Sequence, residues 1–305
     1  MSLQKFRFSN LLIPWLLQLV AWTLFVAPVY AGILDIFFQP PKGNLIIVGG
    51  GDTPDDVYVR FVALSGGLGK TRIAVLPMAS SKFNEEVTEV MEDFHRLGAD
   101  TELVNLSNEE AKSEAVVKHL EKFDAYWFSG GDQSRLLKAL AGTPALDVIV
   151  QRYKEGATIG GTSAGASVMS TVMLTGRMQK PHNEEEVELL NIAKGMMEVS
   201  KGFGVIKGAI VDQHFMKRAR YNRLVSAVLD HPQLIGIGID EETALLVRPD
   251  GIWEVLGKYY VKFFDARRAR IVDDEGPMAK ASDIRMHILP AGSEFNAKNR
   301  KVTLK

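Results

Sequence analysis

The sequence predicts an α/β protein: a three-layer, doubly wound and mostly parallel sheet with an antiparallel β extension near the C-terminus. Three observations predict it. From Asn44 onward, short apolar runs of strand character alternate with helical patterns, as they do where helices cover both faces of a parallel sheet. Three of those runs end in glycine-rich turns, near Gly50, Gly130 and Gly161. Ligands in such sheets sit beyond the carboxyl ends of the strands, so the three turns are expected to share one rim. Toward the C-terminus, β runs follow one another across turn residues and close one edge.

Leu45-Ile46-Ile47-Val48 reads as a buried strand ending in Gly49-Gly50-Gly51-Asp52, and a helix follows from Pro54 to Leu64. Arg72 to Leu76 is the next strand, Asn84 to Leu97 an amphipathic helix and Thr101 to Val104 a third strand. Asn108 to Phe123 is a charged helical segment with Asn108 as its cap. Asp124 to Phe128 is a fourth strand, ending in Ser129-Gly130-Gly131-Asp132-Gln133. Two helical stretches then lead to the small and apolar run Ala157-Thr158-Ile159-Gly160. Thr175 to Gly204 reads as irregular and partly acidic (Glu184-Glu185-Glu186) with one helical piece, a candidate flap beside the site. Ile206 to Val211 and Leu234 to Ile239 are further strands, with a helix running to Leu229 between them. Thr243 to Val247 and Trp253 to Val255 flank Arg248-Pro249-Asp250-Gly251, a hairpin turn by its Asp-Gly pair. No linker or internal repeat interrupts this pattern, so residues 32–305 read as one domain.

The first 31 residues stand apart. Lys5 and Arg7 precede an apolar stretch from Leu11 to Val26, and Pro28-Val29-Tyr30-Ala31 offers small residues where a signal peptidase reads. The expectation is a secretory signal cut after Ala31 and an exported, periplasmic or secreted protein. The alternative is an uncleaved anchor helix; with cleavage no stable membrane anchor is left. The chain has no cysteine. That excludes a lipid-anchored lipoprotein, a disulfide framework, a thiol nucleophile and a thiolate metal site. A formal charge of −1 gives no reason to expect nucleic acid as a partner.

The chemistry centres on Gly161-Thr162-Ser163-Ala164-Gly165, a G-x-S-x-G between a strand and a helix-compatible stretch. A sharp strand-to-helix turn lifts its serine clear of the backbone as a nucleophile. The Ala164 N–H would then face the oxygen that becomes negative in acyl transfer. A serine nucleophile needs a base and a group to orient that base. Of six histidines, only His214 closely follows a predicted strand of this core, in Val211-Asp212-Gln213-His214-Phe215. The strand Ile235 to Ile239 ends in Asp240-Glu241-Glu242, and periodicity does not choose among the three acids. An esterase of the α/β-hydrolase type would need an acid such as Glu184 or Glu188 before a late histidine, here His287. Lys217, Arg218, Arg220 and Arg223 follow His214, with Arg220 and Arg223 on one helix face. Guanidinium groups beside a catalytic base suit a substrate that carries carboxylates.

GTSAGA (Gly161 to Ala166), SGGDQ (Ser129 to Gln133), DQHFMKRARYNRL (Asp212 to Leu224) and GIGIDEETALL (Gly236 to Leu246) together resemble the cyanophycinase family. These are serine peptidases of the group that includes aspartyl dipeptidase, similar in fold to class I glutamine amidotransferases. The resemblance implies hydrolysis of cyanophycin, a poly-aspartate backbone with arginine on each β-carboxyl, to β-aspartyl-arginine dipeptides. It implies Ser163 as nucleophile, His214 as base and Glu241 as the orienting acid. It also implies Gly130–Gly131 completing the oxyanion hole with Ala164, with Gly131 as the partner donor. Substrate contacts are implied at Gln133, Asp212, Gln213, Arg218, Arg220 and Arg223, with Asp212 reading guanidinium. The family expects glycine where this chain has Ala219, a change that would narrow the groove, and export differs from intracellular storage degraders.

Under this reading no metal or cofactor is needed, and the partner is a peptide or polymer substrate. The oligomeric state stays open, with a homodimer as one option. Two other function classes remain: a different hydrolase on the same scaffold, such as an aspartyl dipeptidase or esterase, and a non-catalytic peptide-binding protein. A nucleotide-binding role for Gly49-Gly50-Gly51-Asp52 is weaker, since G-x-G-x-x-G spacing is missing.

Overall fold

Strands buried on both faces hold the centre of the molecule. The computed structural model describes residues 40–81, 83–179, 190–272, 276 and 278–305, with the backbone alone at 83–86. The expected signal segment, His182 and Glu184 to Glu188 lie outside the described residues.

The chain builds β1 (Leu45–Val48), α1 (Asp55–Leu64), β2 (Arg72–Leu76), α2 (Phe83–Arg96), β3 (Asp100–Leu103), α3 (Glu114–Leu120) and β4 (Ala125–Phe128). Next come α4 (Gln133–Leu140), α5 (Pro144–Glu155), β5 (Thr158–Thr162), α6 (Ala164–Ser167), β6 (Val172–Met178), β7 (Met197–Lys201) and β8 (Ala209–Asp212). Then follow α7 (Tyr221–Asp230), β9 (Ile235–Ile239), β10 (Thr243–Val247), β11 (Ile252–Gly257) and β12 (Tyr260–Asp265). The last strands are β13 (Arg270–Val272), β14 (Lys280–Ser282), β15 (Arg285–Pro290), β16 (Glu294–Asn296) and β17 (Lys301–Thr303).

The main sheet runs β17-β16-β11-β10-β1-β5-β4-β2-β3. Its five strands from β1 to β3 are parallel, and β10, β11, β16 and β17 extend it antiparallel. This is the predicted α/β architecture with its C-terminal antiparallel extension. The hairpin predicted at Asp250-Gly251 joins β10 to β11.

The alternating faces of the central strands fill two cores. On one face α1 and α2 cover Ile46, Val48, Ile73, Val75 and Trp127. Trp127 is surrounded by Tyr58, Phe61 and Phe94 at ring-centroid distances of 5.7, 5.1 and 5.3 Å. A Cβ at Gly160 would lie well under 3.0 Å from the Trp127 and Phe61 rings, so this strand glycine makes room for the aromatic cluster. On the other face Leu45, Ile47, Leu76, Phe128 and Ile159 pack with residues of α3 to α6 and of β8 and β9. Burying each such side chain contributes about 1.5–3 kcal/mol.

The two further strands read at Ile206 to Val211 and Leu234 to Ile239 are β8 and β9, and they lie outside the main sheet. They pair parallel with each other in a second sheet, β15-β12-β9-β8, whose remaining pairs are antiparallel. The helix expected over 108–123 is broken at Ser113, an extended residue between a 3₁₀ turn and α3. Its start is a reciprocal box, in which the Ser107 N–H donates to Glu110 and the Glu110 N–H donates to the Ser107 hydroxyl at 2.8 and 3.3 Å. Asn108 instead donates its amide to the carbonyls of Lys138 and Ala139. The segment read as an irregular flap contains an antiparallel ribbon of β6 and β7, with a register shift between Leu174 and Met178. Among its described residues there is no helix.

Candidate active site

Ser163 stands at the sharp turn between β5 and α6 with φ 53° and ψ −110°, a conformation that non-glycine residues rarely adopt. Its N–H is tied to the Val48 carbonyl at the end of β1, 3.1 Å away. The two motif glycines are explained by β4. A Cβ on Gly161 or Gly165 would meet the Phe128 carbonyl oxygen inside 3.0 Å. Only backbone without side chains lets the elbow press against the neighbouring strand end.

The Ser163 Oγ lies 2.8 Å from His214 Nε2, and His214 Nδ1 lies 2.6 Å from a Glu241 carboxylate oxygen. An ionised carboxylate only accepts, so Nδ1 carries the proton and Nε2 is left to accept from the serine hydroxyl. Histidine and acid come from the second sheet, after β8 and β9. The joint is the glycine run after β1. The Gly49 carbonyl accepts the His214 N–H at 2.6 Å, and the Gly50 carbonyl accepts the Glu242 N–H at 2.9 Å. The run read from sequence as a weak nucleotide loop thus ties three strand ends together.

Gly50 has φ +96°, and a Cβ there would overlap the His214 ring. Gly50→Ala is therefore expected to push the imidazole away from Ser163. A displacement near 1 Å costs about 100-fold in rate, seen as a fall in kcat with substrate binding largely kept.

Among the three acids after β9, the others are engaged elsewhere. Asp240 pairs with Lys262 of β12 and accepts the Met216 N–H, while Glu242 pairs with Lys258. His287 lies on β15, paired with Phe263 of β12. His95 and His119 bond Thr101 and Glu102, and His231 caps α7. None of these four lines the cavity that holds Ser163.

That cavity has a volume of about 1000 Å³. Gly130 lies against Ser163, a Cβ built on it falling 3.5 Å from the serine Cβ. Among the described residues neither the Gly130 nor the Gly131 N–H has a protein acceptor. Ala164 opens α6, where N–H groups lack intrahelical partners. These backbone groups can serve a developing oxyanion.

Arg218, Arg220 and Arg223 all line the cavity, as do Gln133 and Gln213. Gln133 is held by a 3.0 Å bond from its amide to the Leu174 carbonyl. Gln213 receives Arg220 on both its side-chain and backbone oxygens. Asp212 needs correction. Its side chain is fully buried behind the wall and already grips Arg223, with Nε at 2.7 Å, and Arg220 at 3.5 Å. It aims the arginines and is not presented to a substrate guanidinium. Ala219 has φ 47°, a left-handed conformation that favours glycine, and it does not line the cavity. The expectation that alanine there narrows the groove is therefore not met.

Motif reasoning missed Arg177 of the β6–β7 ribbon and the carboxylates Asp52, Glu89 and Glu92, which also line the cavity. Glu89 and Glu92 sit on a helix face that reads as solvated surface, while Asp52 ends the glycine run after β1 and Arg177 falls in the segment read as a flap, neither of them marked there as a site residue.

Burial holds the His214 imidazole below its ordinary 6.5. Glu241 opposes that shift, and the Arg218 and Arg220 charges add to it. A base must be unprotonated to act, so activity is expected to persist below pH 6.5 and to fall as His214 protonates. Arg218→Gln removes one depressing charge, and the acid limb of kcat/KM should move to higher pH. A kcat/KM profile of the two proteins, which reports the free enzyme, checks this; an unmoved or lowered midpoint counts against it. Arg220 is drawn down to about 10, by burial first and by Arg223 next, and stays charged at neutral pH.

A strained serine at the carboxyl edge of a parallel sheet, bonded in series to a histidine and a carboxylate, is the working arrangement of a serine hydrolase. The chain belongs to peptidase family S51, whose model matches residues 45–255. It is 32% identical over 273 residues to a cyanophycinase of Geminocystis herdmanii, covering 85% of this chain and 96% of that one. A Nostoc sp. cyanophycinase is 32% identical over 279 residues, covering 87% and 89%. Among solved structures, a peptidase from an acI-B1 Actinobacterium superposes with a TM-score of 0.61 at 25% identity, covering 86% of this chain and 99% of that one.

Proposed function

We propose that this serine peptidase hydrolyses cyanophycin, multi-arginyl-poly-aspartate, and releases β-aspartyl-arginine dipeptides. The observation that carries the reading is the Ser163–His214–Glu241 series inside a cavity also lined by Arg218, Arg220 and Arg223. His214 takes the Ser163 proton as Oγ attacks the scissile carbonyl. The oxyanion is received by the N–H groups of Gly131 and Ala164, His214 returns the proton to the leaving amine, and water releases the acyl group. The arginines donate hydrogen bonds to substrate carboxylates, with Gln133 and Gln213 beside them. Cyanophycinases at 32% identity over most of both chains support this substrate. We place the activity outside the cytoplasm on the leader-like pattern of residues 1–31. The test is incubation with purified cyanophycin and chromatographic identification of the product. Release of β-aspartyl-arginine is expected. Cleavage of α-aspartyl dipeptides alone would point to the aspartyl dipeptidase reading.

A further inference from the structure

The cavity around Ser163 has two walls of opposite charge. Arg177 lines it from β6, Arg218 and Arg220 from the segment between β8 and α7, and Arg223 from the first turn of α7. Those elements pack with the second sheet and with the core on one face of the main sheet. Asp52, Glu89, Glu92 and Asp93 line it from the turn after β1 and from α2; α2 packs on the opposite face, and Asp132 lines the cavity from the start of α4. Ser163, at the end of a central strand, belongs to the rim between them.

The acidic wall is not accounted for by the fold. Glu89, Glu92 and Asp93 stand three and four residues apart and so share one face of α2. Like charges at that spacing repel one another. Asp93 is relieved by Arg96 at 2.7 Å. Glu89, Glu92 and Asp52 have no hydrogen-bond or ion-pair partner among the described residues. No three acidic or histidine side chains among the described residues are grouped to hold a metal ion, so the wall suits an extended organic cation. A separate feature marks the cavity as made for a polar occupant. Ser129 lines it at 3% exposure, and its buried hydroxyl has no hydrogen-bond partner among the described residues.

We propose that Glu89 and Glu92, assisted by Asp52, form a cation-recognition subsite. It receives the substrate's guanidinium group while the arginine wall holds its carboxylates. This inference rests on the substrate reading above and deepens it. A guanidinium offers paired N–H donors to carboxylates in a geometry that a neutral group does not match.

The experiment compares kcat/KM on a short β-aspartyl-arginine repeat peptide and on its citrulline counterpart, in which a neutral ureido group replaces the guanidinium. Wild type is expected to prefer arginine. In the Glu89→Gln/Glu92→Gln variant that preference should fall about tenfold or more. Because the readout is a ratio, damage to folding or to the triad lowers both rates and leaves it unmoved. A ratio within threefold of wild type overturns the proposal, and a larger fall upholds it. If wild type cleaves neither peptide, the substrate reading fails. The subsite is then judged by calorimetric binding of arginine amide, which the variant should weaken by the same criterion; unchanged binding overturns it.

Discussion

Ser163→Ala is expected to reduce kcat for polymer cleavage by about 10³-fold to 10⁶-fold, with peptide binding retained. The expectation follows from how the three groups divide the work. The hydroxyl is the only atom of the series that bonds to substrate carbon. His214 at 2.8 Å moves its proton. Glu241 at 2.6 Å fixes which imidazole nitrogen is free. Groups that act as a unit fail as a unit, so His214→Ala should cost about as much, and the double variant little more than either. A residual rate above water is expected from the oxyanion donors and the arginine wall, which neither change touches. Dipeptide release by the three variants, together with calorimetric binding of peptide to Ser163→Ala, checks both halves. Turnover by Ser163→Ala at the wild-type rate would remove the serine mechanism. Binding without turnover by the wild type would instead favour the non-catalytic alternative.

The elbow, the histidine and the arginines of this site were readable in the sequence, and the orienting acid and the acidic wall were not. The elbow is local: strand, turn and short helix lie within ten residues, and the glycines that permit it are in the motif. The central strands were readable because residues buried on both faces leave uninterrupted apolar runs. The identity of the orienting acid was not readable from periodicity. Asp240 is withdrawn by Lys262, twenty-two residues away on an antiparallel neighbour, and Glu242 is turned aside at φ 54° and paired with Lys258. Resemblance alone named Glu241. The second sheet was missed for a similar reason. Apolar runs such as Ile235–Ile239 look the same whether they extend one sheet or start another, and their partner β12 comes later in the chain. The acids of α2 were hidden in a pattern that also describes a solvated helix face.

Asp212→Asn carries the second large expectation, and it concerns the arginines. A sequence pattern of spaced arginines says that positive charge is present but not what holds it in place. In the folded chain the Asp212 carboxylate is fully buried, accepts the Gln213 N–H at 2.9 Å and binds both Arg223 and Arg220. Those side chains are themselves only 11% and 12% exposed. Two guanidinium groups this close repel, and the shared carboxylate between them is what makes their confinement tolerable. Removing one partner of a buried ion pair leaves an uncompensated charge and costs about 3–5 kcal/mol. For a domain of this size that corresponds to a melting temperature lower by roughly 6–20 °C. The surviving folded enzyme should show a raised KM, since Arg220 and Arg223 lose the anchor that aims them, with a smaller change in kcat. Pairing Asp212→Asn with Arg223→Met separates the two effects. Removing both charges should recover part of the stability, as double-mutant cycles on contacting pairs do, while KM stays high. Thermal melts and Michaelis–Menten curves on the four proteins decide it. Additive losses in stability would mean that Asp212 and Arg223 are not coupled. A normal KM in Asp212→Asn would mean that the arginine wall holds its shape without the buried acid.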